Sequence, residues 1–185
     1  MRNSREIPTV NAGSMADIAF LLLIFFLVAT TVNQDQGIFR KLPPPCPTGQ
    51  DCEIDINQRN ILSIAINNDN QLFVNQMITN IKDLKSTLIE FIDNNGDSSC
   101  DYCVGSKLPF ASENPQKAAI SLITQPKSDY NTFIEVQDEL TAAYFELRAL
   151  YAIKRFNKSL VELTKEELAQ VRLAYPFRIS EAEIK

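Results

Sequence analysis

The 185-residue chain contains no histidine, and its five glycines form no Gly-rich phosphate loop. Without imidazole there can be no Ser/His/Asp set and no histidine-ligated metal. Acidic residues outnumber basic ones by 23 to 18, which gives a formal net charge of −5. A nucleic-acid partner would require a basic patch instead. We therefore expect neither an enzyme nor a nucleic-acid-binding protein, and we expect no cofactor and no metal site.

Charged side chains are almost absent from residues 7–34. Between Ile7 and Gln34 the only ionisable side chain is Asp17, and the twelve residues that follow it are all apolar. A helix from Met15 to Val32 would be about 27 Å long, close to the hydrocarbon thickness of a bilayer. The pattern predicts a transmembrane helix over residues 14–33, and the helix is long enough only if Asp17 is drawn toward the membrane.

Two explanations of Asp17 follow from residue types alone. Ser14 and Asp17 have the spacing of a capping box in which Asp replaces Glu, so that Ser14 would be the N-cap of the helix. Alternatively, Asp17 is a buried carboxyl that titrates. An ionised carboxylate at the centre of a membrane helix costs roughly 2.5–3.5 kcal/mol on insertion scales, so such residues usually have a function.

The membrane topology is not decided by charge. Arg2 and Arg5 precede the helix and Arg40 and Lys41 follow it, which makes the positive-inside count nearly a tie. The apolar segment also has the length of a signal-peptide core, but Val28–Thr31 is a poor small-x-small cleavage site. We therefore favour a permanent anchor.

The helix region resembles the ExbD/TolR family of bacterial energy-transducing proteins. In that family an Asn lies six residues before an essential Asp at the start of a single transmembrane helix, as Asn11 does before Asp17. An extended segment ending in Leu-Pro follows the family's helix, and Ile38 to Pro43 is similar. The stretches 136–144 and 175–183 look like ExbD variants of Bacteroidetes-type bacteria.

The resemblance implies a motor subunit in the bacterial inner membrane, with the tail of residues 1–13 in the cytoplasm and the soluble domain in the periplasm. It implies that Asp17 takes up and releases protons, and that a homodimer of the chain lies inside a ring of ExbB-like subunits. The motion would act on a TonB-like protein that serves outer-membrane transport. A TolR-like role in envelope integrity, with peptidoglycan contact, is the nearer alternative, and a passive membrane-anchored scaffold is the further one.

A linker predicted over residues 34–58 joins the helix to the domain. Pro43–Pro45 should form a stiff polyproline II spacer, with Ile38 and Leu42 as apolar anchors for a partner chain. Four cysteines follow, Cys46, Cys52, Cys100 and Cys103. In an oxidising periplasm we expect two disulfides, with three pairings possible. A four-thiolate zinc site and a redox-active C-x-x-C are less favoured alternatives.

Residues 59–185 predict a small α+β domain with an extended helical C-terminus. Alternation at residues 61–66 indicates a strand, 71–74 its hairpin partner, and 118–124 a third strand. Asn80 can cap a helix that ends near Asn94, and apolar residues from Phe133 to Tyr151 repeat at helical spacing. A capping box at Thr164 predicts a last helix that reaches Ala174.

Overall fold

The computed structural model describes residues 11–30 and 56–183, which belong to two separate compact units. In the first unit, helix α1 covers Ala12–Thr30. The second unit contains β1 (Ile61–Ile66), β2 (Leu72–Val74), β3 (Met77–Ile78), α2 (Ile81–Ile92), β4 (Ala119–Thr124), α3 (Tyr130–Phe156), α4 (Lys165–Ala174) and β5 (Ile179–Glu183). A one-turn 3-10 helix, Gln58–Asn60, precedes β1.

The five strands form one mixed sheet in the order β3-β2-β1-β4-β5. Strands β1, β4 and β5 run parallel, whereas β2 and β3 are antiparallel to their neighbours. The alternating side chains Leu62, Ile64 and Ile66 of β1 are buried as predicted. The sequence thus correctly predicted the central strands and the α+β class.

Helices α2 and α3 supply the other side of the core. Asn80 caps α2 by accepting a hydrogen bond from the Lys82 N–H, and Leu84, Leu88 and Phe91 are buried on one face. The predicted stripe of α3 is buried at Val136, Leu140, Tyr144 and Leu147. Thr164 and Glu167 form the predicted capping box of α4.

The C-terminus is not purely helical. No strand was predicted after α4, but residues 179–183 pair in parallel with β4. Ile120 lies opposite Ile179, and Leu122 lies opposite Glu181. Glu181 also accepts a hydrogen bond from the buried Gln137 of α3 at 2.8 Å. Strand β3 was missed as well, because a two-residue strand shows no periodicity.

Candidate functional site

Helix α1 begins earlier than the capping box predicted. Asn11 directly precedes the first helical residue, and its side-chain Oδ1 accepts a hydrogen bond from the Gly13 N–H at 3.0 Å. The Asn11 carbonyl accepts from the Met15 N–H at 3.3 Å. Asn11 therefore caps the helix, and the interpretation of Ser14 as the N-cap is wrong, because Ser14 is already the third helical residue.

This earlier start changes the position of Asp17. The helix has 19 residues with no acidic residue in its first turn, and it is about 28 Å long at 1.5 Å per residue. Asp17 is the sixth helical residue, which places it about 7.5 Å along the axis from Ala12. A helix of this length that spans a bilayer core of about 30 Å holds Asp17 below its entry surface rather than at its tip.

The rest of α1 offers this carboxylate no counter-charge. Asp17 is the only ionisable residue of the helix. The large apolar side chains of the helix are 42–65 % exposed. By length and composition α1 can cross a membrane. A counter-charge, a proton or a polar partner for Asp17 then has to come from outside this helix.

The other residues singled out from the sequence divide into two groups. Ile38, Leu42, Pro43, Cys46 and Cys52 lie outside the described residues. Cys100 and Cys103 are joined by a disulfide with a Cα–Cα distance of 5.6 Å. This bond occupies two of the four thiols that the alternative zinc site would need.

A buried polar network at the end of α2 was not predicted from the sequence. Asn94 is fully buried, and its side chain donates to the carbonyls of Leu108 and Ser112 and accepts from the Leu108 N–H at 2.6–2.9 Å. The Asp93 carboxylate accepts from the Tyr175 hydroxyl at 2.6 Å and from the Val104 N–H at 2.9 Å. The network fastens the loop of residues 93–118 to the core. Its only signal in the sequence was the Asn94-Asn95-Gly96 helix stop.

Aromatic side chains extend this network to the C-terminal helices. The rings of Tyr102 and Tyr151 lie 5.0 Å apart, and those of Tyr102 and Tyr175 lie 5.5 Å apart, both edge to face. Burial raises the pKa of Tyr102 to about 12. Burial, followed by the hydrogen bond to the Asp93 carboxylate, raises the pKa of Tyr175. Both hydroxyls are therefore neutral hydrogen-bond donors at physiological pH.

The loop also carries an ionic cluster at its surface. Lys117 forms salt bridges with Glu113 at 2.8 Å and with Asp97 at 3.1 Å. The Ser99 hydroxyl and backbone N–H donate to Asp97, and with Lys117 they lower the pKa of this carboxyl to about 2. Every charge in the cluster has a partner, which is typical of a structural role.

The protein-family model described as "Biopolymer transport protein ExbD/TolR" matches residues 3–151, about four fifths of the chain. The chain belongs to the ExbD/TolR family. No curated protein matches it closely enough to count as a relative. Members of this family are membrane-anchored, non-enzymatic subunits of biopolymer-transport motors, which generally work with ExbB or TolQ partners and form oligomers.

The extent of the match separates two parts of the chain. It includes α1 with Asp17 and continues to Tyr151 in α3. Helix α4 and strand β5 lie beyond it. The family assignment therefore rests on a range that includes the helix that carries Asp17 and excludes α4 and β5.

Proposed function

We propose that this chain is an ExbD-like subunit of a proton-driven motor in the bacterial inner membrane, with Asp17 as its proton-translocating residue. The observation that carries the proposal is the place of Asp17 in α1. It is the only ionisable group of a membrane-length helix, and it lies more than one turn inside a helix that Asn11 already caps. Capping therefore gives no reason for a carboxylate at this position.

The chemistry of Asp17 follows from its surroundings. Desolvation disfavours the charged form of a carboxyl group, and a nearby polar or cationic partner favours it. A carboxyl that moves between a dry position and a polar one takes up a proton in the first and releases it in the second. Each proton that crosses the membrane provides roughly 2.3 kcal/mol per 100 mV of potential.

A partner is required for this cycle. One apolar helix with one carboxylate offers no path for protons through hydrocarbon. The polar groups opposite Asp17 would come from ExbB-like ring subunits around two copies of this chain. Alternate protonation of the two Asp17 residues would rotate or shift the helix pair within the ring.

The soluble domain would pass this motion on from the periplasm, with the N-terminal tail in the cytoplasm. The working partner is a TonB-like protein, and the linker around Ile38, Leu42 and Pro43 connects helix and domain. An oxidising periplasm would also maintain the disulfide of Cys100 and Cys103 and allow a second between Cys46 and Cys52. Alkylation and mass mapping of protein matured in the periplasm should then find no free thiol.

Substitution of Asp17 by Asn tests the proposal. Asn preserves the shape of the side chain but cannot carry a proton. We expect Asp17→Asn to abolish energy-dependent uptake of a TonB-dependent substrate while the protein still copurifies with its ring partner. Asn11→Ser is the matched control, because Ser also caps helices well and the variant should retain uptake.

The outcomes separate the competing functions. Normal uptake in Asp17→Asn together with normal envelope integrity would contradict a motor role and would indicate a passive membrane-anchored scaffold. Normal uptake together with an envelope defect would assign the chain a TolR-like role instead.

A further inference from the structure

The disulfide of Cys100 and Cys103 lies at a junction between three parts of the domain. Tyr102, inside the disulfide loop, donates its hydroxyl to the Ala174 carbonyl at the end of α4 at 2.8 Å. Its own carbonyl accepts from Lys154 Nζ near the end of α3 at 3.1 Å. The loop thus binds both helices through a single residue held between the two cysteines.

The same junction is one of the attachments of α4 and β5. The Tyr102 ring packs against Tyr175, which directly follows α4 and whose hydroxyl donates to Asp93. Strand β5 begins four residues later and also pairs with β4. Arg148 of α3 donates two further hydrogen bonds to the Tyr175 carbonyl. The disulfide loop therefore adds to the contacts that hold the C-terminal segment against the core.

The disulfide is accessible to a reagent from solvent. Cys100 and Cys103 are half-buried, and Asp101 between them is exposed. A cleft of about 250 Å³ opens beside the loop, and its walls are Asp101, Tyr102, Tyr151, Lys154 and Arg155.

The two sulfur atoms are not equivalent. The backbone N–H of Cys103 donates a hydrogen bond to Sγ of Cys100 at 3.2 Å. A hydrogen bond to sulfur stabilises its thiolate, and the more stable thiolate is the better leaving group in exchange. An attacking thiolate should therefore bond to Sγ of Cys103, with the Cys100 thiolate as the leaving group.

We propose that Cys100–Cys103 is a latch that a dithiol opens, and that its reduction loosens α4 and β5 from the core. A thiolate of the dithiol bonds to Sγ of Cys103, the S–S bond breaks, and Cys100 leaves as a thiolate. The second thiol of the reductant then attacks the reductant's own sulfur and releases Cys103. The reductant becomes a disulfide, and the two cysteines gain two electrons and two protons.

Reduction acts on the fold through Tyr102. With the loop closed, the four residues from Cys100 to Cys103 hold the Tyr102 ring between Tyr151 and Tyr175. Without the bond the loop has more conformations, so the hydrogen bond to Ala174 and both ring contacts form at a higher entropic cost. The amides at the end of α4 and in β5 should lose protection first, because this junction is one of their attachments, beside the pairing of β5 with β4.

Hydrogen exchange on the full-length protein in detergent tests the latch. A Cys46→Ser/Cys52→Ser background leaves Cys100–Cys103 as the only reducible pair, and dithiothreitol is the dithiol. We expect amides of residues 172–183 to exchange about tenfold faster after reduction, whereas those of β1 stay unchanged. Unchanged exchange in residues 172–183, or equal acceleration throughout the domain, would overturn the proposal.

Two further variants separate the latch from a general loss of stability. Tyr102→Ala should accelerate exchange in residues 172–183 without reductant and make dithiothreitol nearly ineffective there. Tyr130→Ala, at an exposed tyrosine distant in sequence from the loop, should leave the response to dithiothreitol intact. If Tyr102→Ala responds to dithiothreitol as the parent protein does, Tyr102 does not connect the disulfide to residues 172–183.

The direction of attack has its own test. The probe is thioredoxin in which the resolving cysteine is changed to Ser, so that a mixed disulfide persists. Mass mapping should find the adduct on Cys103. An adduct on Cys100 would contradict the role of the Cys103 N–H, and the absence of any adduct would contradict the accessibility of the bond to a dithiol protein.

Discussion

Helix α1 and the α+β domain differ in how their apolar and polar side chains are accommodated. In α1 large apolar side chains face outward and one carboxylate stands without a charged residue on the same helix. In the domain even the buried Asn94 has three hydrogen bonds from its own chain. The domain is thus stabilised by its own contacts, whereas the state of α1 depends on its surroundings. Changes in the domain should act on stability, and changes at Asp17 should act on function alone.

The largest effect on stability should come from Gly105. A Cβ at this position would collide with the backbone of Asp93 and Asn94, which cannot move without breaking the network around them. We expect Gly105→Ala to lower the free energy of unfolding by about 3 kcal/mol or more. Denaturant titration of the full chain measures it. The exposed neighbour Ser106 provides the control, because Ser106→Ala should change little.

In the proposed motor, helix α1 would act on the domain through the proline-rich linker, and substitutions in the linker test this. Pro43, Pro44 and Pro45 favour an extended chain, whereas glycine in their place gives a flexible coil. We expect the triple change to Gly to lower substrate uptake at unchanged protein level and unchanged copurification with the ring. A variant with only Pro44 and Pro45 changed controls for a direct contact of Pro43. Full uptake in both variants would make the linker a passive tether.

Tyr175 tests whether the polar network stabilises the domain. Tyr175→Phe removes the hydroxyl that donates to Asp93 at 2.6 Å and leaves the buried carboxylate with the Val104 N–H. The free energy of unfolding should fall by about 1–3 kcal/mol. Tyr130→Phe is the control, because Tyr130 is 70 % exposed. Equal stability of the two variants would show that the Asp93 contact contributes nothing.

The smallest effect is expected at the ionic cluster. The pKa of Asp97 is lowered from 3.8 to about 2, first by the Ser99 hydroxyl. A lowered carboxyl pKa stabilises the fold above pH 4, and this contribution disappears as the pH falls through 2. Because the cluster is at the surface, Asp97→Asn should cost less than about 1 kcal/mol at pH 7, and this cost should vanish well below pH 2.

Most of the helical structure and the central strands could be predicted, because their apolar periodicity is local. Strand β5 could not be predicted, since Glu181 and Glu183 stand two and four residues after Ile179, where an amphipathic strand would repeat apolar residues. The segment forms a strand by pairing with the distant β4. The turn before β3 could not be predicted, because Asn75 and Gln76 both adopt a positive φ, 46° and 69°, and no glycine marks the turn. The cap of α1 was predicted at Ser14, whereas the structure has Asn11 in this role, and Asn caps helices as well as Ser does.

Proton movement through the assembled motor tests the role of Asp17 most directly. The full-length chain is purified with its ring partner and reconstituted in liposomes, and a proton gradient is imposed while internal pH is recorded. Wild-type complexes should admit protons, and Asp17→Asn complexes of the same composition should not. Equal proton entry in both would contradict the account, because the one ionisable group of α1 would then have no part in proton transfer.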